Sequence, residues 1–428
     1  MKKLSLLLLL ILCAICICSC GEKDDGDGGY NGEVITLNVY NWGEYISDGF
    51  EDSIDTNAEF EKYCREVLGL NVRVNYTTYA TNEDMYSKIK SGAGTYDIII
   101  PSDYMIQKMI SEDMLLEFDV AAEIENYEYI DSDFKNRYYD PENRYTVPYT
   151  YGMTGIIYNT TMVDEDDIGS WGLLWNSKYA GKILQFNNPR DAFGSAMYWK
   201  NIDINSTSTD DWDLALSYLV AQKPLIQAYV NDEIFNKMTS GSAAIAPYFV
   251  GDYITMLDQN EHLDFFYPEE GVNVFVDAMC IPKDARQPEL AKEYINFMLS
   301  EEIAVANALY IGYASPNTLV RENEDYVDEM GDLLDILYAD VESTYSYDPY
   351  YHSYTPEMQA YVNTLWESLK TESSTELWVH ITTIVIVVGV LTPLIYTVYI
   401  KKRRSKDYRE RDKQLRLARQ QSKNVDVN

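Results

Sequence analysis

Asp277 stands in FVDAMCIP, an apolar run from Phe275 to Pro282, where an acid is costly to bury unless something meets its charge. A second acid, Glu44, lies between Trp42 and Tyr45 in YNWGEY. It follows ITLNV, whose apolar side chains fall at every second position as in a strand. A third stretch, PSDY from Pro101 to Tyr104, follows the apolar run YDIII. Carboxylates among aromatic rings suit recognition of a cation, since both attract positive charge. Covalent chemistry is poorly served: there is no GxSxG, HExxH or Walker-type loop. Of three histidines, one (His380) lies in an apolar stretch near the C-terminus. Paired carboxylates leave a glycosidase as the enzyme alternative. No catalytic residue, metal site or cofactor is expected.

The elements that must position these residues alternate. After the first strand, Phe60, Tyr63, Cys64, Val67 and Leu68 fall at helical spacing and Gly69 stops the run. NVRVNY alternates as a strand, TNEDMYSKIKSG begins with a Thr81 cap and ends at Gly92, and YDIII fits a strand covered on both faces. Such βαβ order predicts a parallel sheet wound by helices, with ligands bound outside the carboxyl ends of the strands. NWGEY and PSDY are two such ends, expected on one sheet edge. Farther on, YTVPYTYGMTGIIYN reads as a long extended crossing and ELAKEYINFMLS as an amphipathic helix.

The chain of 428 residues is 46% apolar, enough to bury a real core. Residues 1–19 carry Lys2 and Lys3 before a short apolar run, the pattern of a secretory signal. ICSC then resembles a bacterial lipobox with Cys20 as the lipidated residue, and residues 20–32 read as a flexible tether. That leaves Cys64 and Cys280, which fit buried small hydrophobes better than a bridge or metal site. Residues 378–400 form a 23-residue apolar stretch followed by KKRR, the signature of a transmembrane helix. Residues 401–428 hold 11 Lys/Arg against 4 Asp/Glu, whereas residues 20–400 hold 21 against 65. The basic tail is therefore expected in the cytoplasm and the acidic body outside. Such an acidic body argues against nucleic acid and for cationic or neutral partners.

Six segments occur in order: YNWGEY, TTYATNEDMYSKIKSGAGTYDIIIPSDYMIQKM, YTVPYTYGMTGIIYN, SWGLLWNSKYAGKIL, FVDAMCIPKDA and IGYASPN. Through them the chain resembles the extracytoplasmic polyamine-binding proteins of ABC importers, which take up spermidine and putrescine. The resemblance implies a two-lobed α/β fold, periplasmic-binding-protein-like of type II, hinged by crossing strands and closing over a ligand in its cleft. Lobe 1 would comprise residues 33–152 and 276–324, and lobe 2 residues 153–275 and 325–370. It further implies that Trp42, Glu44, Tyr45, Ser102 and Tyr104 contact the ligand. From the rest of the chain it adds Asn188, Asp191, Phe249, Phe275, Asp277 and Tyr313. Asn188 would replace an acid of the family, which favours a diamine, and Asp277 would hold an ammonium. Tyr248 is a one-residue alternative to Phe249, and Asp191 could instead pair with Arg190. The implied partners are the polyamine and ABC permease subunits, with a membrane-anchored, monomeric body. A same-fold receptor for another small solute and a membrane-anchored ligand sensor remain alternatives.

Overall fold

The computed structural model describes residues 33–50, 53–340 and 348–371, together with scattered positions between 392 and 414. The signal at 1–19, Cys20, the tether at 20–32 and most of 378–400 and 401–428 lie outside these. Among the described residues no helix is long and apolar enough to cross a membrane. The chain divides into two units, Met1–Gly152 with Phe275–Ala339, and Met153–Val274 with Asp340–Asn428.

In unit 1, β1 (Ile35–Trp42) buries Leu37, Val39 and Asn41 on one side, as its alternation predicts. α1 (Thr56–Tyr63) starts where the Asp55 carboxylate accepts the Ala58 amide at 3.0 Å. It runs through one π turn to Gly69, whose φ of 66° is the left-handed stop. β2 (Val72–Tyr79) pairs in parallel with β1, from Ile35 opposite Val72 to Trp42 opposite Tyr79. α2 (Asn82–Lys90) is capped by Thr81, whose Oγ1 accepts the Asp84 amide at 3.1 Å. β3 is only Ile98–Ile99, parallel to β1, although all of YDIII is buried. α3 (Asp103–Ser111) begins two residues after Pro101. Thr146–Asn159 is the long strand β4, all but one of its residues buried.

In unit 2, β5 (Ile183–Phe186), α4 (Pro189–Trp199), α5 (Thr209–Gln222) and β6 (Ile226–Val230) follow in order. β5 is parallel to β6 and to β7 (Ile245–Phe249), and β7 is antiparallel to β4. β8 (Leu263–Phe266) also pairs antiparallel with β4, where Gly155 is required: a Cβ there would lie 2.2 Å from the Phe265 ring. α6 (Pro356–Thr371) packs on α5.

β9 (Val274–Cys280) adds to the unit 1 sheet, with Cys280 opposite Ile99. α7 (Pro288–Met298) and α8 (Glu301–Ile311) are further helices of the unit. Residues 325–339 group with unit 1, whereas the resemblance implied a lobe boundary at 324/325. The cause is local: the Tyr338 hydroxyl accepts the Ser315 amide at 3.2 Å and pairs with the Tyr326 hydroxyl at 3.1 Å. Cys64 and Cys280 are buried free thiols.

Candidate functional site

Among the described residues of unit 1, four acids are buried: Asp97, Asp103, Asp140 and Asp277. The first three are saturated by amides, as buried acids must be. Asp97 takes Asn38 N on Oδ2 and both Arg286 N and Gln287 N on Oδ1, each at 2.8 Å. Asp140 takes the Arg144 amide on Oδ1 and those of Tyr145 and Thr146 on Oδ2. Asp103 takes Tyr104 N on Oδ1 and Val276 N on Oδ2. Asp277 differs. Its Oδ2 accepts the Tyr45 hydroxyl at 2.7 Å, while its Oδ1, equally buried, has no hydrogen-bond partner among the described residues. Burial pushes the carboxyl up to about 6, with the Ser102 and Tyr45 hydroxyls pulling it part of the way back.

Three strand ends build the surroundings. The end of β1 carries Trp42, whose Nε1 donates to Ile100 O at 2.9 Å; the Tyr79 hydroxyl donates to the same carbonyl at 2.6 Å. These two rings lie 4.6 Å apart, so the indole is fixed in place while remaining partly exposed. In the loop beyond, Tyr45 meets Thr150 Oγ1 at 2.6 Å as well as Asp277. Its carbonyl accepts the Tyr149 hydroxyl and the Asn41 amide, which lock the loop to β1 and β4. The end of β3 leads into Pro101 and Ser102, bridged to β9 at Asp277, with Ala278 N donating to Pro101 O at 3.1 Å.

Aromatic rings close round the acid. Tyr313 packs edge-on to Tyr45 at 5.1 Å and to Phe275 at 6.1 Å. Gly152 is needed beneath them, since a Cβ there would lie 2.8 Å from Phe275 Cζ and 3.2 Å from Tyr313 Cδ1. Trp42, Tyr45, Ser102, Phe275, Asp277 and Tyr313 thus gather within unit 1. Tyr104 joins them through Asn82, which sequence reasoning missed. Asn82 Nδ2 donates to Ser102 Oγ at 3.1 Å and to Tyr104 Oη at 3.0 Å, and its Oδ1 accepts Ser102 N. Its place directly after the Thr81 cap made it read as a helix-start residue.

Glu44 is not gathered in. It is exposed, with φ of 49°, so the chain turns its side chain away from the strand's buried face. Its charge acts on the Tyr76 hydroxyl, which burial, ahead of this and the Asp48 charge, holds well above its ordinary range.

In unit 2, Asn188 is the N-cap of α4. Its Oδ1 accepts the Asp191 amide at 2.9 Å and its Nδ2 donates to Asp191 Oδ2 at 2.8 Å. The Asn-Pro-x-Asp spelling, a cap residue before proline at the first helical position, was the available signal. Arg190 stacks on Tyr354, its guanidinium carbon 3.8 Å from the ring centroid, and donates to His352 O at 3.0 Å. Phe249 is partly exposed between Tyr248 and Phe186, and Tyr248 is buried. Among the described residues no cluster of His, Cys, Asp and Glu is placed to hold a metal ion.

Comparison with known proteins accords with this arrangement. Residues 58–331 match the family of bacterial extracellular solute-binding proteins. The spermidine/putrescine-binding periplasmic protein of Escherichia coli K12 is 31% identical over 288 residues, 67% of this chain and 79% of that one. Among solved structures, a protein assigned to spermidine/putrescine ABC transport in Listeria monocytogenes superposes with a TM-score of 0.71 at 32% identity. That match covers 79% of this chain and 99% of the other. The spermidine/putrescine ABC transporter substrate-binding protein of Streptococcus pneumoniae gives 0.63 at 34% identity, covering 78% and 98%. The two-unit α/β architecture is thus that of extracytoplasmic receptors, a family that binds solutes for transport. The chain belongs to the bacterial extracellular solute-binding proteins.

Proposed function

We propose that this protein is the polyamine receptor of an ABC importer, taking an ammonium group of spermidine or putrescine on Asp277 and delivering the ligand to the permease. The observation that carries the reading is the buried carboxylate with one oxygen unpaired among the described residues, its other oxygen held by Tyr45, which packs edge-on to Tyr313 and through it to Phe275. A neutral donor could offer that oxygen only an uncharged hydrogen bond. An ammonium meets it with a charge-assisted hydrogen bond, about 1.5–3 kcal/mol, and the rings add about 0.5–2 kcal/mol per cation contact. Micromolar affinity needs only about 8 kcal/mol. The names of the relatives point to the same ligands.

On this reading Ser102 and Tyr104 hold the acid and the wall in place. Asn188, Asp191 and Phe249 supply contacts from unit 2, and Glu44 acts at longer range as part of the acidic surround. Asn188, already engaged with Asp191, brings no charge, so a diamine would be preferred over a triamine. Calorimetric titration with putrescine, cadaverine, spermidine and spermine tests both points. Absence of heat from every amine refutes the receptor reading. Equal affinities for putrescine and spermidine, unchanged in Asn188→Asp, refute the diamine preference. We further propose lipid attachment at Cys20 and a membrane span at 378–400. Intact-mass measurement of the membrane form checks the first, and resistance of the protein to carbonate extraction after Cys20→Ala checks the second.

A further inference from the structure

Thr150 lies in β4 and is buried, and among the described residues its hydroxyl meets one polar partner, the Tyr45 hydroxyl at 2.6 Å. Which of the two donates is settled one step farther on. The Tyr45 hydroxyl has a single proton, and it goes to Asp277 Oδ2 at 2.7 Å. An ionised carboxylate can only accept, so that bond needs the Tyr45 proton. The short contact to Thr150 is then a hydrogen bond only if Thr150 gives its own proton to Tyr45 Oη. The result is a chain of two bonds running in one direction, from Thr150 to Tyr45 to Asp277, in which each bond polarises the next. The phenol keeps its proton, because burial and then the Asp277 charge hold it well above its ordinary range.

The rest of Tyr45 is held separately. Its carbonyl accepts from Tyr149 Oη at 3.1 Å and from Asn41 Nδ2 at 3.2 Å, and its ring packs edge-on to Tyr149 and Tyr313. Those contacts place the ring but leave the direction of its hydroxyl proton open. We propose that Thr150 is a positioning residue of the site: by donating to the Tyr45 hydroxyl it commits that group's proton to Asp277 and holds the carboxylate ready for a cationic ligand. This rests on Asp277 being the ammonium receptor. Without the Thr150 hydroxyl, Tyr45 Oη loses its donor, and the bond to Asp277 loses the polarisation and the restraint that come with it.

The test is calorimetric titration of the full-length protein with putrescine and spermidine, using two substitutions that separate the hydroxyl from the methyl group. Thr150→Val keeps the shape and deletes the hydroxyl; Thr150→Ser keeps the hydroxyl and deletes the methyl. Loss of one neutral hydrogen bond should weaken both amines about three- to tenfold in Thr150→Val, while Thr150→Ser stays within about twofold of wild type. In the Tyr45→Phe background Thr150→Val should cost nothing further, because Thr150 acts through that hydroxyl. Unchanged affinity in Thr150→Val overturns the proposal. A loss in Thr150→Ser as large as that in Thr150→Val overturns it too, since packing would then be the role, and so do equal losses with and without the Tyr45 hydroxyl. If no amine binds, the receptor reading fails on its own. Ligand-free urea unfolding then still decides the positioning role: additive stability losses from Thr150→Val and Tyr45→Phe refute it, and a Thr150→Val loss confined to the protein with Tyr45 supports it.

Discussion

Replacing Asp277 with asparagine should trade binding for stability in a way set by pH. In the folded protein the carboxyl titrates at about 6, against 3.8 for an unperturbed aspartate. A carboxyl raised in this way keeps its proton longer in the native state than in the unfolded chain, so stability falls as pH rises between the two values. Well below pH 4, at about pH 3 or lower, both states hold the proton and there is no effect; well above pH 6 the full cost is present. A difference of about two units corresponds to about 3 kcal/mol, an order-of-magnitude figure for a fully buried group. Asp277→Asn removes the titration, and the amide's own fit adds an offset that does not depend on pH. The gap between variant and wild type, measured by urea unfolding without ligand, should therefore move in the variant's favour by about 3 kcal/mol between pH 4 and pH 7.5. Ammonium binding runs the opposite way, since it requires the ionised acid: wild-type affinity should fall about tenfold per unit below pH 6, while the variant binds weakly and without pH dependence. A gap that stays constant from pH 4 to 7.5 would refute the reasoning, because it would mean that Asp277 is not held out of its normal range.

Tyr45→Phe deletes the donor to Asp277 and the link to Thr150. Titration calorimetry should show amine affinity down by about ten- to a hundredfold at pH 7 and the pH midpoint moved upward. Gly152→Ala puts a methyl group 2.8 Å from Phe275 Cζ. Thermal unfolding should show a loss of about 1–3 kcal/mol from overpacking, with weaker binding because both rings must shift. The Cys64 thiol is pushed up to about 12 by burial and that of Cys280 well above its usual value. Peptide mapping after iodoacetamide treatment at pH 8 should find both unmodified in the native protein and both labelled in denaturant.

The parts of this architecture legible in the sequence are those governed by local chemistry. The Thr81 cap, the stop at Gly69 and the alternation of β1 were all readable, since each rests on residues within a few positions of one another. Glu44 shows where that reading stops. Alternation and aromatic neighbours suggested an acid facing the ligand, but a left-handed backbone at a non-glycine residue turns it outward, and nothing in YNWGEY announces that torsion. Asn188 was legible as a helix cap before proline, although attention to charge hid it. Asn82 was not legible, because its three contacts go to Ser102 and Tyr104, twenty and twenty-two positions away.

The same limit explains why Asp277 stands out only in three dimensions. Unit 1 holds four buried aspartates among its described residues, and burial alone does not tell a ligand site from a structural role. Three have backbone amides on both oxygens, so their charge is matched in the native state and nothing remains for a ligand to supply. Among the described residues, Asp277 receives a hydroxyl on one oxygen and nothing on the other. Holding this buried carboxylate ionised costs the ligand-free protein on the order of 3 kcal/mol at neutral pH, with burial the main cause. A cation that supplies the missing partner offsets part of this cost with a charge-assisted hydrogen bond, whereas a neutral donor of the same shape offers only the weaker uncharged one. On the proposed function, selectivity for positive charge would follow from what the fold leaves unsatisfied at one atom, and it would persist even if the aromatic walls were rebuilt for a ligand of different length.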